Sequence, residues 1–143
     1  MPTRTTETGT ETNVRNIVYW ASTVCAAIAV GGAGAADLLR IPAVMEALAH
    51  LGYPTYFATI LGTWELLGAV AILAPRRSRV QEWAYAGMVF ALSGAALSHA
   101  ASGDPVAKIL VPLVLLGAVL VSWTLRPARR TRVTTESARP RAA

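Results

Sequence analysis

Charge is scarce in this chain. Of its 143 residues 15% are Asp, Glu, Lys or Arg and 54% are hydrophobic, whereas a soluble domain carries about a quarter charged residues. So apolar a composition excludes disorder over the whole length. A single cysteine, Cys25, excludes a disulfide framework, a dithiol relay within the chain and a multi-cysteine zinc site. It is expected to be a small apolar filler inside its helix. The only histidines are His50 and His99. Two axial ligands for haem are not expected, because His50 falls in a surface segment. The chain has no glycine-rich phosphate loop, no dinucleotide fingerprint and no HExxH motif. No catalytic residue and no metal ligand is therefore assigned.

What is present is long apolar runs. Residues 17–36 carry no charge. Residues 56–74 are interrupted only by Glu65, residues 83–101 contain only His99, and residues 109–125 are uncharged. At 1.5 Å per helical residue each run spans, or nearly spans, a hydrocarbon core of about 30 Å. Backbone polar groups in lipid must be satisfied within the segment, so continuous runs of this kind read as helices, not barrel strands. The expected fold is all-α: a four-transmembrane-helix bundle over residues 17–125. A disordered N-terminal segment, 1–16, precedes it and a basic tail, 126–143, follows. Ala33-Gly34-Ala35 also resembles a signal-peptide cleavage site. The nearly charge-balanced residues before the first run, Arg4 and Arg15 against Glu7 and Glu11, argue against that alternative.

The net charge of +5 from 13 basic and 8 acidic residues would suggest nucleic acid in a soluble protein. Here it sits in the tail, which holds six Arg and one Glu, and the rest of the chain is neutral. Arg126, Arg129, Arg130 and Arg132 are expected at lipid headgroups, and no nucleic-acid partner is expected. Eleven of the 13 basic residues lie on the side of the two termini and of the loop between the second and third runs; Arg40 and Lys108 lie on the other. By the positive-inside rule both termini are cytoplasmic. Tyr19, Trp20, Trp83, Tyr85 and Trp123 are then expected at the inner interface.

Small residues recur at helical spacing: Gly31 and Gly34 in the first run, Gly62 and Gly68 in the second, Gly87 and Gly94 in the third. These are expected helix-packing positions. Glu65 has Leu61, Gly62, Gly68 and Ala69 as its helical neighbours, while Ile60, Trp64 and Leu67 point elsewhere, so Glu65 should face the interior. Asp37, His99 and Ser98 gather toward the outer side, and with Glu65 they are the candidate ligand-binding residues of an outward-facing polar cavity. Between the first two runs, Pro42 to Leu51 reads as a short amphipathic surface helix. Val44, Leu48 and Leu51 fall on one face, Glu46 and His50 on another, and Gly52 closes it. Pro112 is expected to kink the fourth helix.

Four segments in order resemble the DoxX-like family of small four-helix membrane proteins: His50-Leu51-Gly52-Tyr53-Pro54, Leu61 to Ala69, Glu82 to Gly87, and Ser98 to Asp104. The resemblance covers roughly residues 19–126. It implies an integral protein of the bacterial cytoplasmic membrane, similar to membrane subunits of quinone-linked oxidoreductases and associated with redox or oxidative-stress complexes. The expected role is a non-catalytic membrane subunit or anchor with a soluble oxidoreductase partner, no intrinsic activity and a possible quinone cofactor. Two alternatives stay open, a small carrier or permease using the polar cavity, with homo-oligomerisation, and a membrane assembly factor or chaperone. The resemblance also carries a departure. Relatives have Lys at the place of Glu65 and an acidic residue at the place of Ala91. The partner of an ion pair is thus missing here, and Glu65 is expected to be neutral or hydrogen-bonded to a hydroxyl such as Ser93.

Overall fold

A computed structural model describes residues 5–74 and 78–126. They form five helices: α1 Thr5–Leu38, α2 Pro42–His50, α3 Tyr56–Leu73, α4 Ser78–Ala101 and α5 Val106–Leu125. Four are long and apolar enough to cross a membrane, over Asn13–Leu38, Tyr56–Leu73, Arg79–Ala101 and Val106–Leu125. The short α2 lies between the first two spans. α1 begins within the polar segment ahead of Ile17, so the helix starts before the apolar run does.

The spans form a ring. α1 packs beside α3 and α5, and α4 closes the ring from the opposite corner. Inside are small residues: Ala58 is 0% and Ala26 1% exposed, whereas Trp83 and Phe90 on the outside are 81% and 76% exposed. A soluble protein shows the reverse order. In lipid, large apolar side chains are at no disadvantage outside, and small ones inside let backbones approach. Cys25 follows the same pattern; it is exposed on the outer face of α1 and does not fill the core.

Two regions fill the ring. Toward the end that carries the termini, Val30, Ala69, Ile72, Tyr85, Met88 and Val119 pack together. Beside them, Ser122 Oγ lies 2.5 Å from Thr23 Oγ1 and 2.7 Å from the Tyr85 hydroxyl, all three buried. Thr23 also donates to the Tyr19 carbonyl at 2.7 Å. This network ties α1, α4 and α5 together. Tyr19 and Tyr85 are buried, at 5% and 2% exposure. Pro112 lies inside α5 and is also buried.

At the opposite end, the loop end, three helices stop in the same way. α1, α2 and α4 each close with paired backbone bonds around a residue of positive φ: Arg40 (52°), Gly52 (81°) and Gly103 (71°). Ile41 N–H reaches the Ala36 carbonyl at 3.1 Å, Tyr53 N–H that of Leu48 at 2.8 Å, and Asp104 N–H that of His99 at 3.0 Å. These are Schellman closures, which satisfy the last carbonyls of a helix and favour glycine at the left-handed position. Gly52 and Gly103 fit the rule. Arg40 meets the same backbone demand without it. Leu48 is the buried residue of α2, with Glu46 and His50 exposed, as the expected amphipathic faces require.

Candidate functional site

α1 and α3 cross where Gly34 meets Gly62. A Cβ on Gly62 would stand 2.6 Å from the Gly34 carbonyl oxygen and 2.8 Å from the Asp37 Cβ. A Cβ on Gly34 would stand 2.8 Å from the Gly62 carbonyl oxygen and 2.9 Å from the Glu65 Cβ. The contact is reciprocal: each glycine faces the acidic residue three positions beyond the other. Because the helices are antiparallel, the two acidic positions lie on opposite sides of the crossing, and each side chain leans toward the N-terminus of its own helix, back toward the crossing. The two carboxyls interact across the crossing. Asp37 is buried at 5% exposure. Glu65 is partly buried, and its Oε2 is buried without a hydrogen-bond partner.

Glu65 also lines a cavity of about 530 Å³ between α3 and α4. Its other walls are almost wholly apolar and include Leu61, Trp64, Trp83, Met88 and Ala91. Trp64 and Trp83, at 70% and 81% exposure, stand where the cavity meets the surroundings of the bundle. Glu65 is nine residues from the start of α3, which places it about 13 Å along the helix, near the middle of the span. Ala91 faces the same cavity.

A second polar cluster sits at the loop end. The Asp104 carboxylate, 4% exposed in its side chain, collects groups from three helices. His99 Nδ1 of α4 is 2.8 Å from it, Lys108 Nζ of α5 2.9 Å and His50 Nε2 of α2 3.2 Å. Hydrogen bonds from His99, then Lys108, hold the Asp104 carboxyl down at about 2. Beside it the Tyr53 hydroxyl bonds to Ser98 Oγ at 2.7 Å, and the Tyr53 ring stacks on Phe57 at 4.5 Å between centroids.

The four residues expected in one polar cavity thus divide. Asp37 and Glu65 form one pair. His99 and Ser98 belong to separate contacts at the loop end, and neither they nor Asp37 lines the cavity. The reason is local. His99 is in the last turn of α4, and the Gly103 turn brings Asp104 back beneath its ring. Ser93 does not reach Glu65 either; its hydroxyl donates to the Val89 carbonyl at 2.7 Å. Among the glycines, Gly34 and Gly62 touch backbone, Gly31 faces Ala69 at 3.2 Å and Gly68 faces Met88 at 3.2 Å. Gly87 and Gly94 have open space where a Cβ would lie, so neither packs a helix within this chain.

Sequence patterns assign no partner to Asp104 or Tyr53 and do not show the Thr23–Ser122–Tyr85 network. The one signal for the network was hydroxyls within apolar runs, and for Asp104 a carboxylate four residues before Lys108. At the terminal end, Arg126 pairs with Glu82, which also accepts from Trp123 Nε1 at 3.0 Å. Arg129, Arg130 and Arg132 lie outside the described residues. No group of His, Cys, Asp and Glu among the described residues is arranged to hold a metal ion.

No curated protein and no solved structure matches the chain. The model of the DoxX-like family matches residues 21–122, a stretch that takes in the crossing, the cavity and the loop-end cluster. With that match and four helices long and apolar enough to cross a membrane, the chain is an integral membrane protein and belongs to the DoxX-like family.

Proposed function

We propose that this protein is a non-catalytic membrane subunit or anchor of a redox complex, and that the cavity between α3 and α4 receives a quinone from the lipid. The observation that carries this reading is that Glu65 lines an otherwise apolar cavity of about 530 Å³. Ligand sites are commonly of that volume, with apolar walls and few polar groups. The depth of Glu65 narrows the ligand. A phospholipid headgroup at mid-span would leave its charge in hydrocarbon. A quinone ring is uncharged, carries its polar atoms on a flat apolar body, and has an isoprenoid chain that remains among the lipids. Trp64 and Trp83 offer aromatic surface beside the entrance.

The same geometry argues against a carrier built from one copy. Ile72 and Val119, at 1% and 0% exposure, fill the axis toward the terminal end, and the cavity opens sideways. In this reading both termini are in the bacterial cytoplasm, and the soluble oxidoreductase partner docks at that end. The test is purification from native membrane in mild detergent, with mass spectrometry for partners and solvent extraction for quinone. Co-purification of an oxidoreductase, and bound quinone that is lost in Ala91→Trp, is the expected result. A protein that carries neither overturns the reading.

A further inference from the structure

Tryptophan favours the boundary of a membrane, because its ring is apolar and its indole N–H requires an acceptor. Three of the four tryptophans obey that preference. Trp83 is five residues from the start of α4, Trp123 two from the end of α5 and Trp20 seven from the start of the first span. All three are toward the terminal end, and Trp123 donates to Glu82 at 3.0 Å. Trp64 departs from it. It is eight residues from the start of α3, a helix of 18 residues, and so stands about 12–14 Å from both ends. Among the described residues, the one side-chain hydrogen bond made from α3 is that of Thr63 to the Thr59 carbonyl. The Trp64 N–H therefore has no partner in that set. Lipid ester carbonyls lie outside the hydrocarbon core and are out of reach at that depth.

An unpaired donor in hydrocarbon costs free energy, and a lipid-facing position at mid-span does not need one. Ile60 and Leu67, one turn to either side, are 48% and 54% exposed and meet the lipid without a polar atom. Leu67 and Trp64 both line the cavity, but of the two Trp64 alone brings a donor to it. At 70% exposure its ring is not clamped by neighbours, and the N–H edge can turn into the cavity mouth.

We infer that the indole N–H of Trp64 is the donor that holds the ligand of this cavity, through a carbonyl oxygen of a quinone ring at mid-span. A quinone carbonyl has lone pairs and no proton, so it complements a lone N–H. The bond sets the ring at the depth of Trp64 and leaves the isoprenoid chain among the lipids. Trp83 lines the same cavity nearer the terminal end, where water and headgroups satisfy its N–H; it supplies ring surface. The identity of the ligand rests on the quinone reading above, whereas the need of Trp64 for an acceptor does not.

The experiment uses the full chain in lipid nanodiscs, with tryptophan labelled by 15N. The parent gives four indole N–H resonances, and Trp64→Phe, which keeps a ring and removes the donor, identifies that of Trp64. Two probes of the same shape are compared: duroquinone, with two carbonyls, and durene, the hydrocarbon without them. Duroquinone is expected to move the Trp64 indole proton downfield, as a hydrogen bond does, and durene is not. Quenching of the remaining tryptophans is expected to show duroquinone bound about threefold to tenfold more weakly in Trp64→Phe, the effect of one neutral hydrogen bond. The inhibition constant of durene, from its displacement of duroquinone, should be unchanged. Equal weakening of both probes, or a Trp64 resonance that bound duroquinone leaves in place, overturns the donor role but leaves the cavity a quinone site. Absence of duroquinone binding overturns the quinone reading and this inference with it. Should Trp64→Phe fail to fold, replacing Trp20, Trp83 and Trp123 one at a time assigns the parent spectrum by elimination, and the shift decides.

Discussion

At the scale of single residues, Gly62 is the most tightly enclosed glycine among the described residues. Its hydrogen takes the place of a Cβ that would lie 2.6 Å from a backbone oxygen of α1. A backbone atom cannot move aside as a flexible side-chain tip can, so Gly62→Ala must push α1 from α3. The cost of such overpacking is about 1–3 kcal/mol, and the separation of Asp37 from Glu65 should accompany it. Gly87→Ala and Gly94→Ala meet open space and should leave stability unchanged, or raise it slightly through helix propensity. Denaturation in mixed micelles of the three variants side by side checks this; equal losses in all three would refute it. The contrast also shows what spacing can reveal. All six glycines at helical intervals look alike in the sequence, because period reports the face a residue shares and not whether another helix covers that face. Asp37 was legible as a polar residue at a helix end. Its pairing with Glu65 was not, because the pairing depends on which glycine of α1 meets which of α3.

At the scale of elements, the loop end works as a clasp in which Asp104 joins α2, α4 and α5 through His50, His99 and Lys108. The Asp104 carboxyl stands at about 2, below the ordinary value of about 3.9. A depressed carboxyl stabilises the folded state fully above its unfolded value, and the contribution is lost as pH falls through the folded one. The difference in melting temperature between the parent and Asp104→Asn should thus be full at neutral pH and shrink between about pH 4 and pH 2. A difference that stays constant over that window would show that the clasp is not ionic. At the other end, Ser122 serves two buried hydroxyls at once. Ser122→Ala leaves Tyr85 without that partner, and the expected cost is about 1–2 kcal/mol, read as a lower midpoint of denaturation. Helix positions and the amphipathic faces of α2 were legible here because periodicity and the Pro42 and Gly52 signals are local. The clasp and the hydroxyl network were not, because each joins residues from different helices across a distance that no local pattern encodes.

At the scale of the whole molecule, the inversion of large and small residues and the distribution of charge describe one object, a bundle whose solvent is lipid. Ile28, Trp64, Phe90 and Leu97, at 70%, 70%, 76% and 70% exposure, face outward from four different stretches of three helices. Water around such a surface would drive aggregation; hydrocarbon does not. Such a bundle has two ends on opposite sides of the membrane, and their composition differs. The terminal end holds eleven basic residues and the loop end two, Arg40 and Lys108. Lys108 is already engaged by Asp104, which leaves the loop end weaker still as a cytoplasmic retention signal. The positive-inside rule counts basic residues close to the spans, so the orientation should be single and not mixed. In intact cells carrying Cys25→Ala, a membrane-impermeant maleimide should label Ser102→Cys in the α4–α5 turn from outside. It should reach Ser137→Cys in the basic tail only after the cells are opened. Labelling of Ser137→Cys in intact cells would reverse the assignment and move the proposed oxidoreductase partner to the opposite end of the bundle. The cavity would keep its place, since Glu65 lies close to midway between the two ends of α3 and is reached from the side in either orientation.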